Sequence, residues 1–171
     1  SKLSRRVKGS SNYRKQKATV AKAYAKLRHF RENFQHQLSH RLIEDNQFIG
    51  METLAVRNMT RKATKRMDEN GKPTRNGQAS KRAMNRSILR GGWSGFVEKL
   101  AYKAQWYGRT FVQVDMFYPS SRLCNNCGHK YDGLLLLERE WVCESCGVSH
   151  DRDVNSAMNI LGEALRLSQM E

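Results

Sequence analysis

Four cysteines are the residues of this chain whose type and spacing most clearly indicate chemistry. They form two C-x2-C pairs separated by fifteen residues: Cys124, Cys127, Cys143 and Cys146. This spacing is typical of a zinc ribbon, in which two tight turns each present two thiolates to one tetrahedral ion. We therefore predict a structural Zn2+ ion bound by all four thiolates, with no open position for catalysis.

The residues around the cysteines support the same prediction. Gly128 and Gly147 each follow the second thiol of a pair, where a sharp turn needs a positive φ that glycine adopts at little cost. Two disulfide bonds are the alternative, but the sequence shows neither a signal peptide nor a further cysteine, as a secreted disulfide-rich domain would. Because four thiolates complete a tetrahedron, His129 and His150 are interpreted as ordinary surface or loop histidines.

Two carboxylates lie where metal-dependent chemistry could use them. Glu52 ends a predicted strand, and Asp153 opens the predicted last helix. In a layered α/β domain both positions can meet at the carboxyl edge of the sheet, where ligands commonly bind. An acid at the end of a strand is often only a turn residue, so Glu52 alone is weak support for a metal site.

Hydrophobic spacing predicts the elements that would position these residues. Apolar residues in steps of three and four from Val20 to Leu42 predict a long helix that ends near Glu44, with its apolar stripe against a core. Short apolar runs predict strands over residues 47–52 and 110–115. These two strands are the candidate sheet of the domain.

The segment between the two strands is predicted to be a helical crossover. Residues 57–83 lack periodicity and indicate a mobile basic loop, after which helical spacing runs from Met84 to Gly108. Strand, helical connection and strand make a βαβ unit, which implies two parallel strands. The last helix is predicted to begin at about Asp153, and residues 134–137 are predicted to form a strand of the ribbon.

The charge of the chain is unevenly distributed and predicts a polyanionic partner. The net charge is +15, from 31 Lys and Arg against 16 Asp and Glu, which favours nucleic acid over a membrane surface. Residues 1–41 carry twelve basic residues against one acid, whereas nine acids against five basic residues follow from Asp115 onward. The first half is therefore the predicted phosphate-binding part, and the second half concentrates carboxylates that could hold cations.

Five separated motifs resemble, in order, the carboxyl half of the TnpB (OrfB) family. The motifs are IGMETLAVRNM at 49–59, WSGF at 93–96, YGR at 107–109, PSSRLC at 119–124 and DRDVNSAMNI at 151–160. TnpB proteins are transposon-encoded RNA-guided DNA nucleases, similar to the compact type V CRISPR effectors. The resemblance covers almost the whole chain and includes a zinc ribbon between the last two motifs.

The resemblance implies an RNase H-like RuvC fold in which three carboxylates hold two Mg2+ ions and a DNA phosphodiester is hydrolysed by in-line attack of water. Glu52 matches the glutamate of the family's second motif, and Asp153 matches the aspartate of its third motif. Asp151 matches a preceding acid whose role stays open. DNA and a guide RNA are the implied partners, and we expect a cytoplasmic location in a prokaryotic cell, with no membrane association.

One departure from the family shapes the expected fold class. The family's first catalytic aspartate lies in a Gly-Ile-Asp-like segment upstream of the long helix, and nothing here corresponds to it. We therefore expect an incomplete RNase H-like (RuvC) α/β domain that lacks its first strands and carries an inserted four-cysteine ribbon. The expected divisions are a nuclease part at 1–119, the ribbon at 120–150 and a carboxyl-terminal helix at 151–171, with a missing amino-terminal portion as a possible partner.

Three functional hypotheses stay open on the sequence alone. The first is a nuclease fragment whose third acid comes from Asp115, Asp45 or another chain. The second is a catalytically silent nucleic-acid-binding module, and the third is an inert remnant of a transposon gene. Loss of the strand that would pair beside residues 47–52 should expose a sheet edge, so we also predict marginal stability.

Overall fold

The computed structural model describes residues 2–133 and 137–170. A short 3-10 helix at Leu3–Arg5 precedes five α-helices and four β-strands. In chain order these are α1 Ser11–Asp45, β1 Phe48–Glu52, α2 Val56–Met59, α3 Gln78–Gly91, α4 Trp93–Trp106, β2 Thr110–Val114, β3 Glu140–Val142, β4 Ser149–Asp151 and α5 Arg152–Ser168. Of the predicted ribbon strand at 134–137, residues 134–136 lie outside the described residues, and Leu137 lies in a turn.

The sheet that carries Glu52 has the predicted parallel topology. β1 pairs with β2 in parallel, in a register that runs from Phe48 opposite Thr110 to Glu52 opposite Val114. Helices α3 and α4 connect the two strands, so the predicted βαβ unit is confirmed. Helix α5 packs on both strands, and the Cβ of Ala164 lies 2.8 Å from the position that a Cβ on Gly50 would occupy.

Helix α1 begins nine residues earlier than predicted. Ser10 caps its amino terminus, because the Ser10 Oγ accepts a hydrogen bond of 3.1 Å from the backbone N–H of Tyr13. The first turns contain almost no apolar residues, so hydrophobic spacing could not locate this end. The carboxyl end at Asp45 agrees with the prediction.

The prediction that the apolar stripe of α1 packs against a core is wrong for most of the helix. Tyr24, Leu27 and Phe30 are 69%, 66% and 74% exposed. The buried residues of α1 are Gln35, Ser39 and Ile43, on the part of the helix that packs against α4. This carboxyl part belongs to a hydrophobic core, which holds Ile43 together with Leu100 and Ala104 of α4.

The predicted loop over residues 57–83 is shorter in the structure. Helix α2 occupies Val56–Met59, and α3 begins at Gln78 rather than at Met84. Gly77 precedes α3 with a φ of 70°, and the Asn76 side chain accepts a hydrogen bond from the Gln78 N–H. Local capping therefore starts the helix six residues before Met84, its first large apolar residue.

The ribbon lies between β2 and α5. Strands β3 and β4 pair antiparallel and place Trp141 opposite His150. A second core cluster contains Cys124, Trp141 and Cys143. In the part of the chain described here, no helix has both the length and the apolar composition needed to cross a bilayer.

Candidate metal centre and carboxylates

The four cysteines form a compact group with the dimensions of a tetrahedral metal site. Their Sγ atoms all lie within 4.8 Å of one another. The Cys124–Cys146 and Cys127–Cys143 Sγ separations are both 3.6 Å, close to the edge of about 3.8 Å in a tetrahedron with Zn–S bonds of about 2.3 Å. A disulfide needs about 2.05 Å, and all four thiols are free, which argues against the alternative of two disulfides.

The backbone around the cysteines forms two equivalent turns. The N–H of Gly128 donates to the carbonyl of Cys124, and the N–H of Gly147 donates to that of Cys143, both at 2.8 Å. The two glycines have φ values of 75° and 71°, so the requirement for glycine predicted from the sequence is confirmed. Each turn therefore presents its two thiols to the same point between the turns.

The thiols differ in their readiness to ionise. Burial raises the pKa of the Cys124 thiol to about 11. A backbone hydrogen bond from Val148, helped by the Asn126 side chain, lowers the pKa of Cys146 to about 6. Cys146 therefore ionises more readily than Cys124, whose thiolate would be stabilised by a cation beside it.

The two histidines near the cysteines have different environments. His129 is exposed, as predicted. The prediction is wrong for His150, which is 7% exposed, because the β3–β4 pairing turns its ring inward beside Trp141 at a centroid distance of 4.8 Å. The Nε2 atom of His150 lies 3.0 Å from the Sγ of Cys124.

Glu52 and Asp153 lie at the ends of elements that contact each other. Glu52 is the last residue of β1 and is half-buried, and the chain continues from it with the Thr53 N–H donating to the Val114 carbonyl at 2.9 Å. Asp153 lies in the first turn of α5, the helix that packs on β1. The Asp153 side chain is 71% exposed and pairs with Arg139 at 3.1 Å and Arg152 at 3.7 Å.

Asp151 has a structural role that the sequence left open. It is the N-cap of α5, and its Oδ1 accepts hydrogen bonds of 2.9 Å from the N–H groups of Asp153 and Val154. A carboxylate at this position satisfies helix donors and complements the positive end of the helix dipole. Asp151 therefore orients the turn that carries Asp153.

The two acids that were candidates for a third ligand lie at opposite ends of the sheet: Asp115 directly follows Val114, the register partner of Glu52, whereas Asp45 precedes β1. Asp115 is exposed, and its Oδ1 accepts from the Phe117 N–H at 2.7 Å, as in an ordinary turn. Asp45 ends α1 just before β1, so β1, about 13 Å long, separates it from Glu52 at the other end of the strand. Among the described residues, the four cysteines are the only group of three or more potential ligands that lie so close together.

Hydrogen bonds of two asparagines, which the sequence analysis missed, join α5 to the first cysteine turn. Asn155 is 1% exposed, donates to the Leu123 carbonyl at 2.7 Å and accepts from the Asn125 N–H at 2.9 Å. Asn159 donates to the same Leu123 carbonyl at 2.7 Å and to the Ser120 carbonyl at 2.8 Å. The available signal was the i, i+4 spacing of the two asparagines, which places them on one face of a helix.

A basic cleft lies between α1 and α3, away from the cysteines. It has a volume of about 520 Å3 and is lined by Tyr24, Leu27, Arg28, Arg31 and Arg90. Arg31 Nη1 donates to the Arg90 carbonyl at 3.3 Å, which joins the two helices. Three guanidinium groups beside an exposed aromatic ring form a surface suited to phosphates and bases.

Comparisons with known proteins show which families the chain is similar to. Residues 1–63 match a family described as "Probable transposase", and residues 93–160 match the "Cas12f1-like, TNB domain". A protein of Streptomyces pristinaespiralis named "Putative RNA-guided DNA endonuclease" is 40% identical over 97% of this chain. A protein of Escherichia coli K12 named "Putative RNA-guided DNA endonuclease InsQ" is 34% identical over 93% of this chain. The chain is related to the TnpB (OrfB) family. A "TnpB-like protein" of Acanthamoeba polyphaga mimivirus is 35% identical over 50% of this chain.

The TnpB-related chain spans little more than a third of the length of these bacterial relatives. It covers 36% of the Streptomyces protein and 38% of InsQ. One chain of the cryo-EM structure of the Cas12f1–sgRNA–target DNA complex matches 85% of the chain described here, with a TM-score of 0.57 and 20% identity. The match covers 37% of the Cas12f1-complex chain and shows that the two chains share a fold over this region.

Proposed function

We propose that this chain is the carboxyl-terminal part of an RNA-guided, transposon-associated DNA endonuclease, and that Glu52 and Asp153 belong to its hydrolytic centre. The observation that carries the proposal is their placement: Glu52 ends β1, and Asp153 opens the helix that packs on β1. The names of the bacterial relatives support the same reaction. The fold is then an RNase H-like (RuvC) domain without its first strands.

Glu52 and Asp153 would hold Mg2+, because carboxylate oxygens are the hard ligands that this ion prefers. When bound, the ions would supply a Lewis acid for the scissile phosphate. Asp151 would keep the first turn of α5 in place through its two backbone hydrogen bonds. Arg139 would have to release the Asp153 carboxylate, since it occupies Oδ2 in this structure.

The four cysteines would hold a structural zinc ion that supports the ribbon. Four thiolates leave no position for substrate, so the ion would contribute folding energy and no chemistry. Through the contacts of Asn155 and Asn159 with the first cysteine turn, the folded ribbon would also support the start of α5.

The remainder of the centre would come from a further segment or a second chain. Among the described residues, Glu52 and Asp153 do not form a mutually close group with a third acid, and β1 has a paired neighbour on one side alone in the described sheet. An additional strand at that edge could bring the missing carboxylate. DNA and guide RNA would bind the basic first half of the chain, including the cleft at Arg28, in the cytoplasm of a prokaryotic cell.

A chimera tests this proposal. This chain replaces the matching segment of the Streptomyces relative, and guided cleavage of target DNA is measured with Mg2+. We expect Glu52→Gln and Asp153→Asn to reduce cleavage at least about 100-fold, since each removes charge that stabilises the transition state. Binding of the RNA should be unchanged, because neither acid lies on the basic surface.

Asp132→Asn is the matched control. Asp132 is an exposed acid of the ribbon that pairs with Lys130 at 3.1 Å, so its loss should leave cleavage unchanged. Cleavage by the Glu52 and Asp153 variants at the rate of the parent chimera would contradict their assignment. An inactive chimera beside an active relative would contradict the nuclease function of this chain.

A nucleic-acid-binding module without catalysis is the second candidate function. The exposed Asp153 and its two arginine partners favour it, because a carboxylate in such pairs is not organised for a metal. Its expected behaviour is binding of single-stranded nucleic acid that weakens steeply with salt and is unaffected by Glu52→Ala. Fluorescence anisotropy with a labelled oligonucleotide at several salt concentrations measures both properties.

A further inference from the structure

We propose that His150 donates a hydrogen bond from its Nε2–H to the thiolate of Cys124, and that this bond raises the affinity of the ribbon for zinc. The inference rests on the proposal that the four cysteines bind zinc. It assigns His150 as a positioning residue beside the ion rather than as a ligand.

The geometry distinguishes a donor from a ligand. His150 Nε2 lies 3.0 Å from the Cys124 Sγ, yet the mutually close group of ligand atoms contains only the four thiols. A zinc-bound thiolate carries no proton and can only accept. The imidazole must therefore hold its proton on Nε2 if it stays at this distance.

The environment explains why such a donor matters at Cys124. The side chain of Cys124 is buried, with 1% of the residue exposed, so water cannot solvate its charge. Four thiolates around one Zn2+ leave a net charge of −2, and an N–H donor aimed at a buried sulfur disperses part of it. The Trp141 ring, 4.8 Å away between centroids, holds the imidazole in place.

The position of His150 links the ion to the end of the ribbon. His150 lies in the middle of β4, opposite Trp141. The next residue is Asp151, whose carboxylate caps α5. A bond between Cys124 and His150 therefore joins the first cysteine turn to the strand that leads directly into Asp153.

Zinc affinity of the purified chain tests the inference, measured by competition with a chelator of known affinity. His150→Phe keeps a ring beside Trp141 but cannot donate, whereas His150→Gln can place an N–H near the same point. We expect His150→Phe to weaken zinc binding about 10- to 100-fold, as loss of an outer hydrogen bond typically does. His150→Gln should recover most of the affinity, and His129→Phe, at the exposed ribbon histidine, should match the wild type.

Two spectroscopic measurements test separately whether His150 is a ligand and whether its proton is on Nε2. The visible bands of the Co2+-loaded chain should show four thiolates in the wild type and in His150→Phe; a change of ligand set in the variant would overturn the role as a donor. A long-range proton–nitrogen NMR spectrum of the zinc-loaded wild type should show the Nε2–H tautomer, and the Nδ1–H tautomer would overturn the inference without any mutation.

The outcomes also distinguish this inference from the zinc proposal. A wild-type chain that binds no zinc would overturn both. Tight binding by the wild type together with equal affinity in His150→Phe would overturn only the role of His150, and the zinc site would stand.

Discussion

At the scale of single residues, the structure separates the two aspartates next to the ribbon by what their oxygens already do. Asp151 uses one oxygen to accept two backbone hydrogen bonds at the start of α5. Asp153, two residues later, has a side chain that is 71% exposed and pairs with Arg139 and Arg152. A cation entering from solvent can displace an arginine more easily than two helix N–H groups. If the proposed metal site exists, this contrast assigns the ligand role to Asp153 rather than to Asp151, which supports the turn.

Asn155 is the residue whose loss should most directly loosen this support. Asn155→Ala removes a buried side chain that accepts from the Asn125 N–H and donates to the Leu123 carbonyl, and we expect the free energy of unfolding to fall by about 1–3 kcal/mol. Chemical denaturation of the zinc-loaded chain measures the change. Asn33→Ala, at an exposed position of α1, should stay within about 0.5 kcal/mol. Equal effects of the two substitutions would contradict the role of the Asn155 contacts.

At the scale of elements, the contact between β1 and α5 determines how Glu52 and Asp153 are held relative to each other. The close approach depends on small residues at Gly50 and Ala164. A Cβ at Gly50 would also meet the carbonyl oxygen of Ile160 at 3.4 Å, so backbone as well as side chain limits the space. The helix can lie this close to the strand only because neither partner is larger.

Gly50→Ala should therefore destabilise the chain although alanine suits a strand better than glycine. The added methyl group would lie 2.8 Å from the Cβ of Ala164, and we expect a loss of about 1–3 kcal/mol from overpacking. Adding Ala164→Gly should recover part of the loss, which a double-mutant cycle by denaturation measures. Gly162→Ala, in the same helix but with open space around it, should be neutral or stabilising. A stabilising Gly50→Ala would contradict the packing described here.

At the scale of the whole molecule, the described chain has two small cores and a large exposed apolar surface. One core centres on Ile43, Leu100 and Ala104, and the other on Cys124, Trp141 and Cys143. The sheet of β1 and β2 has only two strands, an arrangement that is marginally stable unless helices cover it. The exposed stripe of α1 adds apolar area that this chain does not bury.

These features predict a broad thermal transition for the zinc-loaded chain. We expect the helical circular dichroism signal to decline gradually, since no large core couples the amino part of α1 to the rest. Placing the chain in the relative used for the chimera should sharpen the transition, because additional chain could cover the free edge of β1. A single steep, cooperative transition of the isolated chain would show that the two cores already form one stable unit.

The sequence by itself determined the features that depend on local spacing. The cysteine pairs and their glycines predicted the two turns, because two thiols separated by only two residues in a tight turn must lie close together. The two apolar runs and the helical segment between them predicted the parallel pairing of β1 and β2. The positions of Glu52 and Asp153 at the ends of β1 and α5 also followed from these patterns.

Only the tertiary structure decided which surfaces are buried and what lies beside them. The apolar stripe of α1 indicated a core, but burial requires a neighbour, and α4 covers the face of Gln35 and Ser39 instead. His150 appeared to be an ordinary histidine until the pairing of β3 with β4 placed it beside Cys124. Spacing along a chain limits local geometry, whereas burial and hydrogen-bond partners depend on residues far away in the sequence.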